Sequence, residues 1–160
     1  MIMSKDWAAA ARVLGTSFPH EWREDGWDWL APRVAEGVLD PRVLGWATRL
    51  ARIADTDGAG RGPVIAEAGF HGPPDSEGWV EIGYRVVADH RRRGFAAEAV
   101  SGLLDWATER GVAGVKASVG LGNDASRNLL LNLGFTGHGS YRHDSLGEQR
   151  IFRRATRHTT

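Results

Sequence analysis

Three consecutive arginines, Arg91, Arg92 and Arg93, stand immediately before Gly94 in the segment DHRRRGFAAEAV. Guanidinium groups pair well with phosphate oxygens, and a glycine allows a bound group to approach the backbone closely. The segment is predicted to open a helix, whose first N–H groups have no partners inside the helix and carry partial positive charge. This combination predicts a binding site for a phosphorylated ligand. A solvated run of charge and a nucleic-acid patch are the alternatives.

Charge and composition narrow these alternatives. The 160 residues include 20 basic and 20 acidic side chains, so the net charge is zero. Duplex-binding domains are normally basic, because their affinity comes from neutralising phosphates. We therefore expect a small anion and no nucleic-acid partner. The absence of cysteine excludes disulfides and thiolate catalysis, and the six scattered histidines lack the spacing of a metal site, so we expect no metal.

Length and hydropathy predict one domain over residues 1–160. No apolar run approaches the roughly 20 residues that a membrane helix needs. The N-terminal MIMSKDW lacks the long apolar core of a signal peptide. We expect a cytoplasmic protein with no membrane partner.

The elements that must position the arginines alternate between helices and strands. The first forty residues are predicted to be helical, in DWAAAARVL and in a second stretch that Pro41 ends. Strands are predicted at 44–54, 64–70 and 79–87, the last two as an antiparallel pair. An amphipathic helix follows Gly94, then a strand, GVKASVG, and a helix with Asn123 as its N-cap and Gly134 as its stop.

Two closing strands around HDSLGE complete a mixed α/β (α+β) fold, in which helices pack on a mixed sheet. The segment GLGNDA, at 120–125, also fits a loose dinucleotide-binding pattern. Too little chain follows it for the further strand–helix units of a Rossmann fold, and that chain is predicted to form a hairpin. This excludes dinucleotide binding by that segment.

Arg91-Arg92-Arg93-Gly94-Phe95-Ala96 resembles the Arg/Gln-x-x-Gly-x-Gly/Ala signature of the GNAT superfamily of N-acetyltransferases. About thirty residues later, NDASRNLLLNLGF is similar to the second conserved block of that superfamily, Asn-x-x-Ser/Ala ending in Leu-Gly-Phe. GFHGPPDSEGWVEIGY resembles a strand-turn-strand found in a bacterial branch of these enzymes. The resemblance covers residues 64–135 in order and spacing.

The resemblance implies a GNAT-type fold with a mostly antiparallel sheet, and acetyl-CoA as the acyl donor. It assigns the pyrophosphate to the loop of Arg91, Arg92, Arg93, Gly94, Phe95 and Ala96. It assigns the pantetheine arm to Val86 and Val87, and the other side of the cofactor to Asn123 and Ser126. Plain alternatives stay open: Arg92 and Arg93 are only solvated, Arg91 pairs with Asp89, and Asn123 is only a helix cap.

Acetyl transfer to an amine requires removal of a proton, stabilisation of an oxyanion and departure of a thiolate. We predict Glu81 as the base, acting directly or through a water. It shares a strand face with Gly83, Arg85 and Val87, and a purely structural pairing with Arg85 is the alternative. A backbone N–H near Val87 is the predicted oxyanion donor.

The general acid is less well defined by the sequence. Many GNAT enzymes carry a tyrosine seven residues after the asparagine, where this chain has Leu130. Ser126 is the nearest polar replacement, ahead of Tyr84 and Tyr141. We predict transfer of an acyl group, foremost acetyl, to the amine of a small molecule or peptide. A CoA-binding module of the same fold without turnover is the alternative.

The sequence leaves the role of the N-terminal tryptophans and the oligomeric state open. Trp22, Trp27 and Trp29 either form an aromatic wall that holds the amine by cation–π contact or serve as packing. The resemblance also leaves open a homodimer.

Overall fold

The computed structural model describes residues 7–21, 43, 45–53 and 62–156. The helices that lie wholly within them are α1 (Trp7–Leu14), α2 (Phe95–Glu109) and α3 (Asp124–Asn132). The strands are β1 (Thr48–Arg52), β2 (Val64–Phe70), β3 (Trp79–Val86), β4 (Gly114–Gly120), β5 (Thr136–His143) and β6 (Gly147–Ala155). A 3-10 turn at Ala88–His90 follows β3.

These strands form a six-stranded sheet in the order β1-β2-β3-β4-β6-β5. Antiparallel pairing joins β1 to β2, β4 to β6 and β5 to β6, whereas β3 and β4 run parallel over Trp79–Ile82. Strands β2 and β3 form the expected antiparallel pair: Val87 N–H donates to Ile65 O at 2.9 Å, and His71 N–H donates to Glu81 O at 2.8 Å. The predicted mixed class with a mostly antiparallel sheet is confirmed.

The N-terminal predictions are confirmed only in part. The first predicted helix is α1, and the predicted strand at 44–54 shortens to Thr48–Arg52. Residues 45–47 form a turn instead, to which Arg49 is tied by a hydrogen bond from its Nη2 to Gly45 O at 2.9 Å. The second predicted helix and the three N-terminal tryptophans lie outside the described residues.

Both later helices begin and end as their sequences predict. Asn123 caps α3, because its Oδ1 accepts the Ser126 N–H at 3.1 Å. Gly134 and Gly111 follow α3 and α2 with φ of +81° and +71°, a conformation that favours glycine. No helix in the described part of the chain is long and apolar enough to cross a membrane.

The chain divides into two compact units. One comprises Met1–Gly69 and Tyr84–Ala96, and the other comprises Phe70–Gly83 and Ala97–Thr160. In the first unit, α1 and the loop before β2 pack on the sheet through a core of Phe18, Val64, Ile65, Ala66, Val86 and Val87. In the second unit, α2 and α3 bury apolar residues that include Val100, Leu103, Leu104, Ala107 and Leu130.

Asp75 orders the connection between β2 and β3. Its Oδ1 accepts the N–H groups of Glu77 at 3.1 Å and Trp79 at 2.9 Å, and its Oδ2 accepts from Lys116 Nζ at 3.1 Å. The bond from the Trp79 N–H, followed by that from Lys116, lowers the pKa of the Asp75 carboxyl. The connection therefore holds the end of β2 and the start of β3 in a fixed register.

Gly69 is required by the close approach of β1. A Cβ at this position would lie 2.3 Å from Thr48 Cα and 2.7 Å from Ala47 O, and backbone atoms cannot move aside as a flexible side chain can. We expect Gly69→Ala to lower the free energy of unfolding by about 1–3 kcal/mol or more, measured by urea denaturation. Gly102→Ala is the control, because a Cβ there meets nothing within 4 Å. Equal unfolding midpoints for wild type and Gly69→Ala would contradict this packing.

Candidate functional site

The loop between β3 and α2 has the backbone form of an anion cradle. Arg92 and Gly94 both have positive φ, +58° and +87°. Such a conformation turns successive N–H groups toward one side, which creates a concave site for an anion. A Cβ at Gly94 would project into open space, with nothing within 4 Å. The loop is exposed from Arg91 to Gly94, so a ligand has access to it.

Three contacts within the first unit hold this loop. Arg91 Nε donates to Val86 O at 3.0 Å, which folds the first arginine back onto the end of β3. The Ala88 N–H donates to Glu21 Oε1 at 3.3 Å. Phe95 packs with Ala96 against the core of the unit, and its ring lies 6.4 Å from that of His90. The loop thus brings exposed arginines, a glycine and a helix start together, and this chemistry suits a diphosphate.

The backbone N–H groups of Val86 and Val87 point to opposite edges of β3. The Val87 N–H donates to Ile65 O on β2 at 2.9 Å, so it is not available as the predicted oxyanion donor. In an antiparallel strand, successive N–H groups point to opposite edges, so the Val86 N–H points away from β2. Pairing of β3 with β4 covers only Trp79–Ile82. Val86 is therefore the better-placed backbone donor, and Val87 contributes mainly to the core.

A buried carboxylate, Glu67, faces Arg85 across β2 and β3. Glu67 is only 4% exposed, and its Oε1 lies 3.4 Å from Arg85 Nε. Its Oε2 is buried and accepts no hydrogen bond from the residues that the structure describes. Burial raises the pKa of Glu67 to about 7, although the charge and hydrogen bond of Arg85 act in the opposite direction. Sequence analysis did not single out Glu67, because burial of a strand carboxylate depends on what covers it.

Glu81, the predicted base, lies in the second unit beside two residues that the sequence analysis missed. Ser118 Oγ on β4 donates to Glu81 Oε1 at 2.8 Å. His71 Nδ1, just beyond the end of β2, lies 3.8 Å from the same oxygen. His71 and Glu81 are also joined through their backbones, by the 2.8 Å hydrogen bond from His71 N–H to Glu81 O. A hydroxyl, a carboxylate and an imidazole thus meet on one face of the sheet.

Gly83 makes room for the imidazole of His71. A Cβ at Gly83 would lie 2.6 Å from His71 Nε2, closer than a real side chain can approach. The ring therefore occupies the space that a side chain at position 83 would fill. The sequence carried a partial signal for this group, because His71 directly follows one strand of the predicted antiparallel pair and Glu81 stands near the start of the other.

The remaining predicted site residues lie in different places. Asn123 and Ser126 stand at the start of α3, where the carboxamide oxygen of Asn123 is used by the cap. Leu130 is fully buried, so this position belongs to the core. Tyr84 is half-buried on β3, and Tyr141 is 39% exposed on β5 beside His143. In the described ranges, no group of three or more His, Asp or Glu side chains could hold a metal ion.

Comparison with known proteins assigns the chain to a family. The chain matches the model of the acetyltransferase (GNAT) domain over residues 2–136. The chain belongs to the GNAT acetyltransferase family. Among curated relatives, YjdG of Bacillus subtilis, named as an uncharacterized N-acetyltransferase, is 37% identical over 73 residues, which are 45% of this chain and 44% of YjdG. The chain spans about half the length of the curated relatives that it matches.

Solved GNAT structures share the fold at low sequence identity. YncA of Salmonella typhimurium, solved with its cofactor acetyl-CoA, is 22% identical with a TM-score of 0.61, over 81% of this chain and 75% of YncA. A phosphinothricin acetyltransferase of Sinorhizobium meliloti, solved in complex with acetyl-CoA, is 19% identical with a TM-score of 0.57. That match covers 76% of this chain and 68% of the other. These likenesses confirm the GNAT-type fold.

The raised pKa of Glu67 makes the stability of the fold depend on pH. The folded pKa is about 7 against an ordinary value of 4.5. The folded state therefore binds more protons than the unfolded state between these values. The contribution of this group to stability is complete below pH 4.5 and is lost as the pH rises through 7.

We expect the free energy of unfolding of wild type, measured relative to Glu67→Gln, to fall by about 3 kcal/mol between pH 4.5 and 8. Urea denaturation across this range measures it. Glu98→Gln, at an exposed position on α2, is the matched control and should keep the wild-type profile. Identical profiles for wild type and Glu67→Gln would show that Glu67 does not titrate in this range.

Proposed function

We propose that this protein is an acetyl-CoA-dependent N-acetyltransferase that transfers an acetyl group to a primary amine. The observation that carries the proposal is the loop before α2, where Arg92 and Gly94 take positive φ and open space adjoins Gly94. Membership of the GNAT family supports the activity. The acetyl-CoA bound to YncA and to the phosphinothricin acetyltransferase supports the choice of donor.

Each part of acetyl-CoA is assigned to protein groups whose chemistry suits it. The N–H groups from Arg92 to Ala96 would hold the pyrophosphate, with Arg92 and Arg93 supplying positive charge. The Val86 carbonyl, which also accepts from Arg91 Nε, would accept a pantetheine amide N–H, as the edge of a sheet does with an added strand. Asn123 would use its amide NH₂, since its oxygen serves the cap of α3, and Ser126 would use its hydroxyl.

When bound, acetyl-CoA supplies an activated thioester, whose acyl group passes to the amine nitrogen as the C–S bond breaks. The ammonium form of the acceptor must first lose a proton, and Glu81 is the residue assigned to this step, directly or through an intermediary. Its Oε1 accepts from Ser118 Oγ at 2.8 Å, which fixes the carboxylate. The Val86 N–H is assigned to the oxyanion.

Ser126 is proposed as the group that donates a proton to the departing thiolate. The buried Leu130 leaves no side chain with an acidic proton at the position where many GNAT enzymes carry tyrosine. A thiolate is a tolerable leaving group, so a weak acid suffices for turnover. The acceptor belongs to the broad class of small-molecule or peptide amines.

The second candidate is a CoA-binding module of the same fold without turnover. One observation favours it, namely that Leu130 is buried where the acid would stand. Both candidates require acetyl-CoA binding, and they differ in the release of thiol. A nucleic-acid-binding role for the arginines would require neither.

Acetyl-CoA should raise the melting temperature of the purified protein. At about a hundred times its dissociation constant, a ligand adds roughly 2.7 kcal/mol to the stability of the folded state. We expect Gly94→Glu to abolish this shift, because it places a carboxylate in the cradle. Gly102→Glu, on the exposed surface of α2, makes the same change of charge and should keep the shift. Differential scanning fluorimetry measures both.

The same experiment tests the alternatives. Free CoA should also produce a shift, since it carries the same pyrophosphate. The absence of any shift with acetyl-CoA in wild type would contradict the transferase and the silent module together. A shift with a short DNA duplex alone would assign the arginines to nucleic acid, and it would diminish steeply with added salt.

Turnover should depend on Glu81. Thiol release from acetyl-CoA, followed with a chromogenic thiol reagent, is measured with ethanolamine, spermidine, lysine and a short peptide with a free N-terminus. We expect Glu81→Gln to reduce kcat/KM by about 100-fold or more and to keep the shift in melting temperature. Glu98→Gln is the control with the same change of charge. Binding of acetyl-CoA without thiol release by wild type would favour the silent module.

A further inference from the structure

We propose that Arg153, stacked on Trp79, binds a carboxylate of the acceptor, so that the acceptor carries an acid group as well as its amine. The inference rests on the proposed function and deepens it, because it names a class within the small-molecule and peptide amines. It is carried by Arg153, Trp79, Lys116 and Glu81, all of which lie in the second compact unit.

Glu81, Lys116 and Arg153 stand side by side on three neighbouring strands. Lys116 on β4 is the Cα partner both of Glu81 on β3 and of Arg153 on β6. Residues directly opposite each other share a face of the sheet, and each of the three side chains is half-buried there. Neighbouring strands lie roughly 5 Å apart, so the backbones at Glu81 and Arg153 are separated by roughly 10 Å.

Trp79 gives the guanidinium of Arg153 a defined position on this face. The Trp79 ring lies over Gly114 on β4, where a Cβ would stand 2.4 Å from ring atom Cζ3, and the ring thereby reaches toward β6. Arg153 Cζ lies 5.1 Å from the ring centroid, which is within cation–π range. Stacking engages the face of the guanidinium, whereas its N–H edge is the part that binds carboxylates in a bidentate manner.

Arg153 has no counter-charge among the residues that the structure describes. Lys116 Nζ pairs with Asp75 Oδ2 at 3.1 Å, and Glu81 accepts a hydrogen bond from Ser118. In the same part of the chain, no ion pair joins Arg153 to a carboxylate, and its Nε is buried without a hydrogen-bond partner. A charged donor that is left unmatched at a half-buried position is costly, and an anion from outside the chain would match it.

The charges of this face suit a carboxylate better than a phosphate. Asp75 already balances Lys116, so one guanidinium remains for the ligand, and Glu81 stands on the same row with negative charge. A dianion would need more donors and would be repelled by Glu81. A molecule with an ammonium near Glu81 and a carboxylate at Arg153 meets opposite charge at both ends. Such an acceptor needs a spacer between its amine and its acid.

Binding of the carboxylate is measured without turnover. Protein labelled with ¹⁵N-arginine is held with free CoA, which has no acyl group to transfer, and the Arg153 Nε–H signal is identified by its loss in Arg153→Gln. We expect 6-aminohexanoate to shift this signal. Hexylamine, which has the same amine and chain without the acid, should leave it in place. An Arg153 signal that responds equally to both amines, or to neither, would overturn the proposal.

Turnover tests whether this carboxylate belongs to the acceptor. Thiol release is compared between 6-aminohexanoate and hexylamine, and between the short peptide and its C-terminal amide. We expect wild type to prefer the acid of a pair by about 10-fold or more in kcat/KM. Arg153→Gln should abolish this preference by raising KM for the acid alone, and it should keep the shift in melting temperature with acetyl-CoA.

Two further variants distinguish recognition of the acid from a general effect of charge or folding. Arg153→Lys keeps the charge and loses the planar fork, so it should retain part of the preference. Arg150→Gln removes the same charge from an exposed position on the opposite face of β6. This matched control should keep the full preference of wild type.

The outcomes separate this inference from the proposed function. If wild type uses both members of each pair equally well, if turnover is confined to amines without an acid group, or if Arg153→Gln keeps the preference, the inference is wrong and the proposed function stands. If wild type releases no thiol with any amine, the proposed function fails, and the assignment of the carboxylate to an acceptor fails with it. A preference for the acid that Arg153→Gln abolishes and Arg150→Gln keeps supports the inference.

Discussion

Two backbone hydrogen bonds, Val87 N–H to Ile65 O and His71 N–H to Glu81 O, hold β3 against β2 and determine where every group on β3 points. Because side chains alternate between faces and amides alternate between edges, these two bonds assign each function of the strand. Glu81 turns its carboxylate to one face, and Val86 turns its N–H to the edge away from β2. The proposed roles of Glu81 and Val86 therefore both depend on this register, because a shift by one residue would turn each side chain to the other face and each amide to the other edge.

The same register places two carboxylates beside basic side chains of the neighbouring strand, Glu67 beside Arg85 and Glu81 beside His71. The two pairs differ in burial and therefore in their properties. Glu67 faces Arg85 inside its unit, and desolvation outweighs the attraction of the guanidinium, so its pKa rises to about 7. Glu81 faces His71 with a side chain that is 27% exposed, so solvent reaches it. The buried pair thus affects the stability of the fold, whereas the exposed pair is available for chemistry.

Features that depend on neighbouring residues could be predicted from the sequence. The cap at Asn123, the stops at Gly111 and Gly134, and the loop before α2 each follow from a few adjacent residues. The partners of Glu81 could not be predicted, because Ser118 reaches it from β4, beyond a whole crossover helix, and His71 depends on the register across an irregular connection. The bond of the Val87 N–H to Ile65 likewise required the register. The family resemblance could be recognised because its motifs lie in those local segments.

The imidazole of His71 occupies the volume that Gly83 leaves empty. Position 83 therefore cannot gain a side chain while the imidazole of His71 keeps this place, whereas position 71 can change while Gly83 is kept. A lineage that acquires a side chain at position 83 must first give up the histidine or turn its ring elsewhere, and a lineage that has lost the histidine no longer needs the glycine. The order of such substitutions is constrained by volume alone, whatever amine each descendant uses.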